Sequence, residues 1–154
     1  MADKPKMEIT AQQLIDTYRS DQARMDLLQK RQQSLLQMAA EMNAALDTVK
    51  EIQKAKEDET IMVSLGAGIF AEAKITNVKK IKESLAGNIL IDSQPEKVLA
   101  ELQEAMDKAK KEIETVQLEI QKTGQNMQGI GNILQESRKA VQQAKNSSDV
   151  SSVS

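Results

Sequence analysis

The sequence predicts a mainly α protein, a long antiparallel coiled-coil hairpin carrying a double β-hairpin insert at its closed end. Three observations predict it. Two long stretches repeat apolar residues every seven positions, the period of a supercoiled helix seam. The stretch between them repeats apolar residues every second position, the period of a strand. And the 154-residue chain has no Trp, one Phe and one Tyr, so the large side chains that usually fill a globular core are missing.

Residues 1–7 carry no periodic pattern and are expected to be flexible, with the first helix over 8–59. Its seam has one series at Leu14, Asp21, Leu28, Leu35, Met42 and Val49 and another at Ala11, Tyr18, Met25, Gln32, Ala39, Leu46 and Gln53. The two series stand three apart, as a and d positions do. No Pro or Gly falls between Met7 and Thr60, so nothing breaks a rod of about 75 Å at 1.5 Å rise per residue.

From Thr60 the period changes to two, and residues 60–92 are expected to form two β-hairpins. The apolar series runs Ile61, Val63, Leu65, then Ile69, Ala71, Ala73, Ile75, then Ile81 and Leu85, then Ile89 and Ile91. Gly66-Ala67-Gly68 supplies the first turn, Thr76-Asn77 the second and Ala86-Gly87-Asn88 the third. Lone hairpins are marginal in water, so these strands are expected to find partners in other chains.

The second helix is expected over 93–145. Ser93-Gln94-Pro95-Glu96 reads as a cap, a first-turn proline and the glutamate of a capping box. Leu99, Met106, Ile113, Ile120, Met127, Leu134 and Val141 form one seam series, followed three residues later by Leu102, Ala109, Val116, Thr123, Ile130, Ser137 and Ala144. Two helices of similar length can shield each other's stripe by pairing antiparallel. Gly124, Gly129 and Gly131 weaken the far end of this helix, where fraying is expected. The tail 146–154 is aperiodic and polar and is expected to be disordered.

Composition excludes several kinds of function. Zero His and zero Cys remove thiol chemistry, the usual zinc ligands and the commonest general base, so neither a catalytic nor a metal site is expected, and no cofactor. A net charge of −2 with 29% charged residues gives no general pull on nucleic acid or anionic lipid. The N-terminal ten residues have no apolar signal region and no run approaches a membrane span, which predicts a cytoplasmic protein. Gly66-Ala67-Gly68 lacks the Gly-Lys-Ser/Thr of a phosphate loop and is read as a turn. The clusters Lys79, Lys80, Lys82 and Lys108, Lys110, Lys111 have neighbouring glutamates and no interleaved aromatics, as a solvated face has. Glu57-Asp58-Glu59 reads as the solvated end of the first helix. Of Met25, Met38, Met42, Met106 and Met127, all but Met38 sit on the seam and are assigned to core filling.

The insert "VSLGAGIFAEAKI", followed by "NVKKIKESLAGNILID" and a capped second helix, resembles the alpha-class subunit of prefoldin, also called GimC, of the archaeal type. The most specific piece is Leu65-Gly66-Ala67-Gly68-Ile69 with a second glycine turn at Gly87. The resemblance implies a hexamer of two alpha-class and four beta-class subunits whose hairpins join into intersubunit β-barrels. It implies an ATP-independent chaperone that holds unfolded polypeptides and passes them to a group II chaperonin. A structural coiled-coil scaffold, or a filament-forming or prefoldin-like cochaperone subunit, is the alternative.

Carried onto this chain, the resemblance gives the assembly role to Ile61, Val63, Leu65, Gly66, Gly68 and Ile69, and to Ile75, Ile81, Leu85, Gly87, Ile89 and Ile91. It gives substrate contact to Ile9, Leu14, Ile15 and Tyr18 near the start of the first helix, and to Ile130, Ile133, Leu134 and Val141 near the end of the second. Ile15 and Ile133 lie off the seam, so helix pairing need not consume them.

Overall fold

The computed structural model describes residues 10–85 and 89–150. In chain order these form α1 (Ala11–Lys54), β1 (Thr60–Gly66), β2 (Ile69–Lys74), β3 (Ile81–Leu85), β4 (Ile89–Ser93) and α2 (Pro95–Val150). The chain divides into two compact bodies, a terminal body of residues up to Ser34 with those from Glu114, and a hairpin body over Leu35–Ile113.

Capping decides where α1 begins. The Thr10 hydroxyl accepts from the Gln13 backbone N–H at 3.2 Å, and the Gln13 side-chain oxygen accepts from the Thr10 backbone N–H at 2.8 Å. This reciprocal box satisfies two donors that the helix leaves open and starts it at Ala11, not at residue 8. The helix also ends earlier than expected, at Lys54 instead of 59. Asp58 adopts φ +67°, its N–H donates to Ile75 O at 2.8 Å, and Ile75 N–H donates to Glu59 O at 3.0 Å. Glu57-Asp58-Glu59 is therefore the turn into β1, and ladder bonds to the chain beyond β2 outcompete another helical turn.

α2 starts at Pro95, whose missing N–H costs nothing in a first turn. Ser93 is not its cap. It ends β4 opposite Ile81 and is buried, while Val98 N–H donates to Gln94 O and marks Gln94 as the boundary residue. Glu96 reaches across to α1, accepting from Gln53 Nε2 at 2.9 Å. At the other end α2 continues through residues 146–150, where a disordered tail was expected. That stretch has no Pro or Gly, and a helix already running adds residues that would not nucleate one.

The heptad reading survives in each body. In the terminal body Leu28, Val116, Thr123 and Ile130 are buried between α1 and α2, with Met25, Ile120 and Met127 half-buried beside them. Polar pairs also cross: Arg24 to Glu119 at 3.1 Å, Gln32 to Gln117, and Asn126 to Asp21. In the hairpin body Leu35, Leu46, Val49, Val98, Met106 and Ala109 form the buried stripe. The predicted seam stops after Leu134, since Ser137, Val141 and Ala144 are exposed. The register set by Gln32 and Gln117 brings Ala11 level with about Arg138, so the seam outruns the described part of α1.

The sheets are two separate antiparallel hairpins, β1–β2 and β3–β4. In the first, Val63 pairs with Ala71 and Ser64 with Phe70, but Gly66 pairs with Ile69, leaving Leu65 as a bulge. The turn residues proper are Ala67 and Gly68, with φ of +50° and +78°. Positive φ at both central positions is the I′ pattern that matches strand twist, and it favours Asn-Gly over Ala-Gly. Ala67→Asn is therefore expected to stabilise this hairpin by up to about 1 kcal/mol, read as slower amide exchange across the β1–β2 ladder. Unchanged exchange would refute the turn assignment.

Candidate functional site: the hairpin faces and a groove in the terminal body

Alternation along the strands sorts the assembly candidates onto one face of each hairpin. On β1–β2 the face carries Ile61, Val63, Ile69, Ala71 and Ala73, and on β3–β4 it carries Ile81, Leu85, Ile89 and Ile91. Burial along these faces is graded. Ile61, Ala71, Ala73, Ile75, Ile81 and Ile91 are half-buried, whereas Val63, Leu65, Ile69, Leu85 and Ile89 are exposed. The outer half of each face is therefore the part left open to another chain. Two of the half-buried residues, Ile61 and Ile75, line a cavity of about 350 Å³ with Ile52 in the last turn of α1 and Ala55 just beyond it. Gly66 and Gly68 sit at the exposed turn, and Gly87 lies outside the described residues.

Sequence reasoning missed the opposite face. Met62 and Phe70 are 61% and 57% exposed there, and Leu90 is exposed on the matching face of the second hairpin. Counting the even positions as well as the odd ones finds them. The same face of β3–β4 carries an ion-pair cluster, with Asp92 2.7 Å from Lys82 and 3.6 Å from Lys80. The Lys82 hydrogen bond, then its charge, holds the Asp92 carboxyl below its ordinary range. Any stabilisation from this depressed carboxyl is present above the ordinary carboxylate range and fades as pH falls through it. Its exposure to solvent keeps that contribution small.

Of the residues assigned to substrate contact, Ile15, Leu134 and Val141 come together in the terminal body. Ala11, Ile15, Leu134, Ser137, Arg138, Val141 and Gln142 line an open, mostly apolar groove of about 390 Å³. Of the two off-seam residues, Ile15 is half-buried and lines the groove, and Ile133 is 49% exposed. Leu14 and Tyr18 are half-buried. Ile130 is buried in the seam, and Ile9 lies outside the described residues. Arg138 on the groove wall is a residue the sequence reading passed over.

Among the described residues no group of His, Cys, Asp or Glu is placed to hold a metal ion. Nor is any described helix long and apolar enough to cross a membrane.

Comparison with known proteins fits this arrangement. The family model for prefoldin subunits matches residues 22–140. Prefoldin subunit alpha of Methanothrix thermoacetophila is 32% identical over 101 residues, covering 64% of this chain and 65% of that protein. Prefoldin subunit alpha of Methanococcus vannielii is 26% identical over 115 residues, covering 75% and 79%. Among solved structures, filamentous PFD from Methanocaldococcus jannaschii superposes with a TM-score of 0.62 at 19% identity, over 75% of this chain and 95% of that one. The prefoldin beta subunit from Thermococcus strain KS-1 does so with 0.55 at 16%, over 89% and 96%. At these identities the structural likeness speaks for the fold.

Proposed function

The chain belongs to the prefoldin family, and from that premise we propose that it is the alpha-class subunit of an ATP-independent holding chaperone. Its hairpins join those of beta-class subunits, two alpha with four beta, in intersubunit β-barrels. The groove of the terminal body and the apolar residues around it hold unfolded polypeptides, which pass to a group II chaperonin in the cytoplasm. The observation that carries this reading is the outer half of the hairpins. Val63, Leu65, Ile69, Leu85 and Ile89 are exposed on strands of two-stranded sheets, each with both edges open. Such open edges and apolar faces favour cover by another chain.

Holding without chemistry has a direct test. Light scattering of a diluted, denatured client is expected to fall with added alpha–beta complex and to level off near stoichiometric ratio, with or without ATP. No phosphate-binding loop is present in the sequence to couple a nucleotide to the cycle. Protection that needs ATP when no chaperonin is present would refute the proposal.

A further inference from the structure

The groove of the terminal body is aliphatic over most of its lining and charged at one point. Ile15, Leu134 and Val141 supply the apolar surface, Ser137 and Gln142 are neutral, and Arg138 is the one charged side chain among the described residues that line it. The Ser137 hydroxyl is already spent, donating to Ile133 O at 2.9 Å. Arg138 is exposed and has no ion-pair partner among the described residues, so its fork of N–H donors is free to meet a carboxylate.

The helix that carries it supplies no such group. The positions three and four residues away, Leu134, Gln135, Val141 and Gln142, hold no carboxylate, and Glu136 stands two positions away, where side chains do not face each other. Across on α1, Asp16 accepts from Gln12 Nε2 at 3.1 Å. The sign of Arg138 is repeated around it. Over residues 10–20 and 130–145 the cations are Arg19, Arg138, Lys139 and Lys145 and the carboxylates are Asp16 and Glu136, four against two, on a chain whose net charge is −2. This end of the chain therefore attracts anions while the chain as a whole does not.

We propose that the groove selects among unfolded segments by charge, taking those in which aliphatic side chains are flanked by aspartate or glutamate, with Arg138 as the specificity-determining residue. The inference rests on the proposed gripping role of this groove, and it adds which segments are preferred. In the bound segment the aliphatic side chains cover Ile15, Leu134 and Val141, and a flanking carboxylate accepts from the Arg138 guanidinium, whose planar fork matches it. Cover by the segment also takes water from around the pair, which strengthens the attraction. A basic segment offers the same apolar contacts but sets cation against cation at the same point.

The test titrates the full chain into labelled leucine-rich peptides that differ only in their flanking residues, glutamate, serine or lysine, and reads fluorescence anisotropy. The glutamate peptide is expected to bind about fivefold tighter than the serine peptide and about tenfold or more tighter than the lysine peptide, the range open to a partly covered ion pair. Added salt is expected to shrink that preference. Arg138→Glu is expected to reverse the order, with the lysine peptide now tightest, and Arg138→Gln to bring the peptides level; helical circular dichroism is expected to be unchanged in both, since the position is exposed. Serine and glutamate peptides bound alike by the wild-type chain would leave the grip standing and overturn the selection, as would an Arg138→Glu chain that keeps the wild-type order. A wild-type chain that binds none of the peptides would remove the gripping role itself, and the selection with it.

Discussion

Replacing Ile69 with lysine is expected to release the chain from its complexes while leaving both helices folded. Ile69 closes the first hairpin opposite Gly66 and is 60% exposed in the free chain, on the same face as Val63 and Ala71. In the free chain a lysine there costs little, because its ammonium stays in water. In a complex that covers this face the same lysine must either be buried or hold the surfaces apart. The lost isoleucine removes about 1.5–3 kcal/mol of burial, and an unpaired buried ammonium costs several kcal/mol more. Together these weaken assembly by about 1,000-fold or more, since each 1.4 kcal/mol is a factor of ten. Val63→Lys is expected to act alike. Native mass spectrometry against helical circular dichroism separates the two effects: an Ile69→Lys chain that still enters a complex of wild-type mass and affinity would show that this face is not the joining surface.

What the sequence could and could not disclose follows from how local each cause is. The heptad positions Leu28, Leu35, Leu46, Val49, Met106 and Val116 are buried as their spacing predicts, because a helix stripe is set by period alone. Helix ends were less legible, since they depend on competition between partners. Ser93 has the sequence signature of a cap, yet a strand partner at Ile81 claimed it; Thr10-Ala11-Gln12-Gln13 is the box that the chain uses. The graded burial of the hairpins was hidden for a similar reason, because Ile61 and Ile75 are covered by the last turn of α1, and period-two counting knows nothing of what lies above a strand.

Removing the groove of the terminal body is expected to abolish protection of clients without disturbing assembly. Ile15, Leu134 and Val141 line this open groove, Ile133 is exposed close by in sequence, and Arg138 adds a cation at the wall. Each such aliphatic side chain contributes about 1.5–3 kcal/mol when fully covered, so a single chain grips a client weakly. On the proposed reading several chains in one complex would hold firmly all the same, because after the first contact the others act at high effective concentration. That multiplication makes the loss steep: taking two aliphatic contacts from every alpha subunit removes several kcal/mol from a bond that depends on all of them. Ile133→Ser with Val141→Ser places both changes on exposed positions of α2, where neither leaves a core cavity, so the helices and the hairpin body are expected to keep their stability. Ile130→Ser is the contrasting change, since Ile130 is buried between the helices and its loss is expected to cost about 2–4 kcal/mol of stability. Light scattering of an unfolded client, read beside the mass of the complex, distinguishes these cases. Deleting residues 1–18 and 130–154 together is expected to give the same loss in its most complete form. A doubly truncated complex that protects as well as the full one would move client contact away from this body, to surfaces such as Met62 and Phe70 on the hairpins.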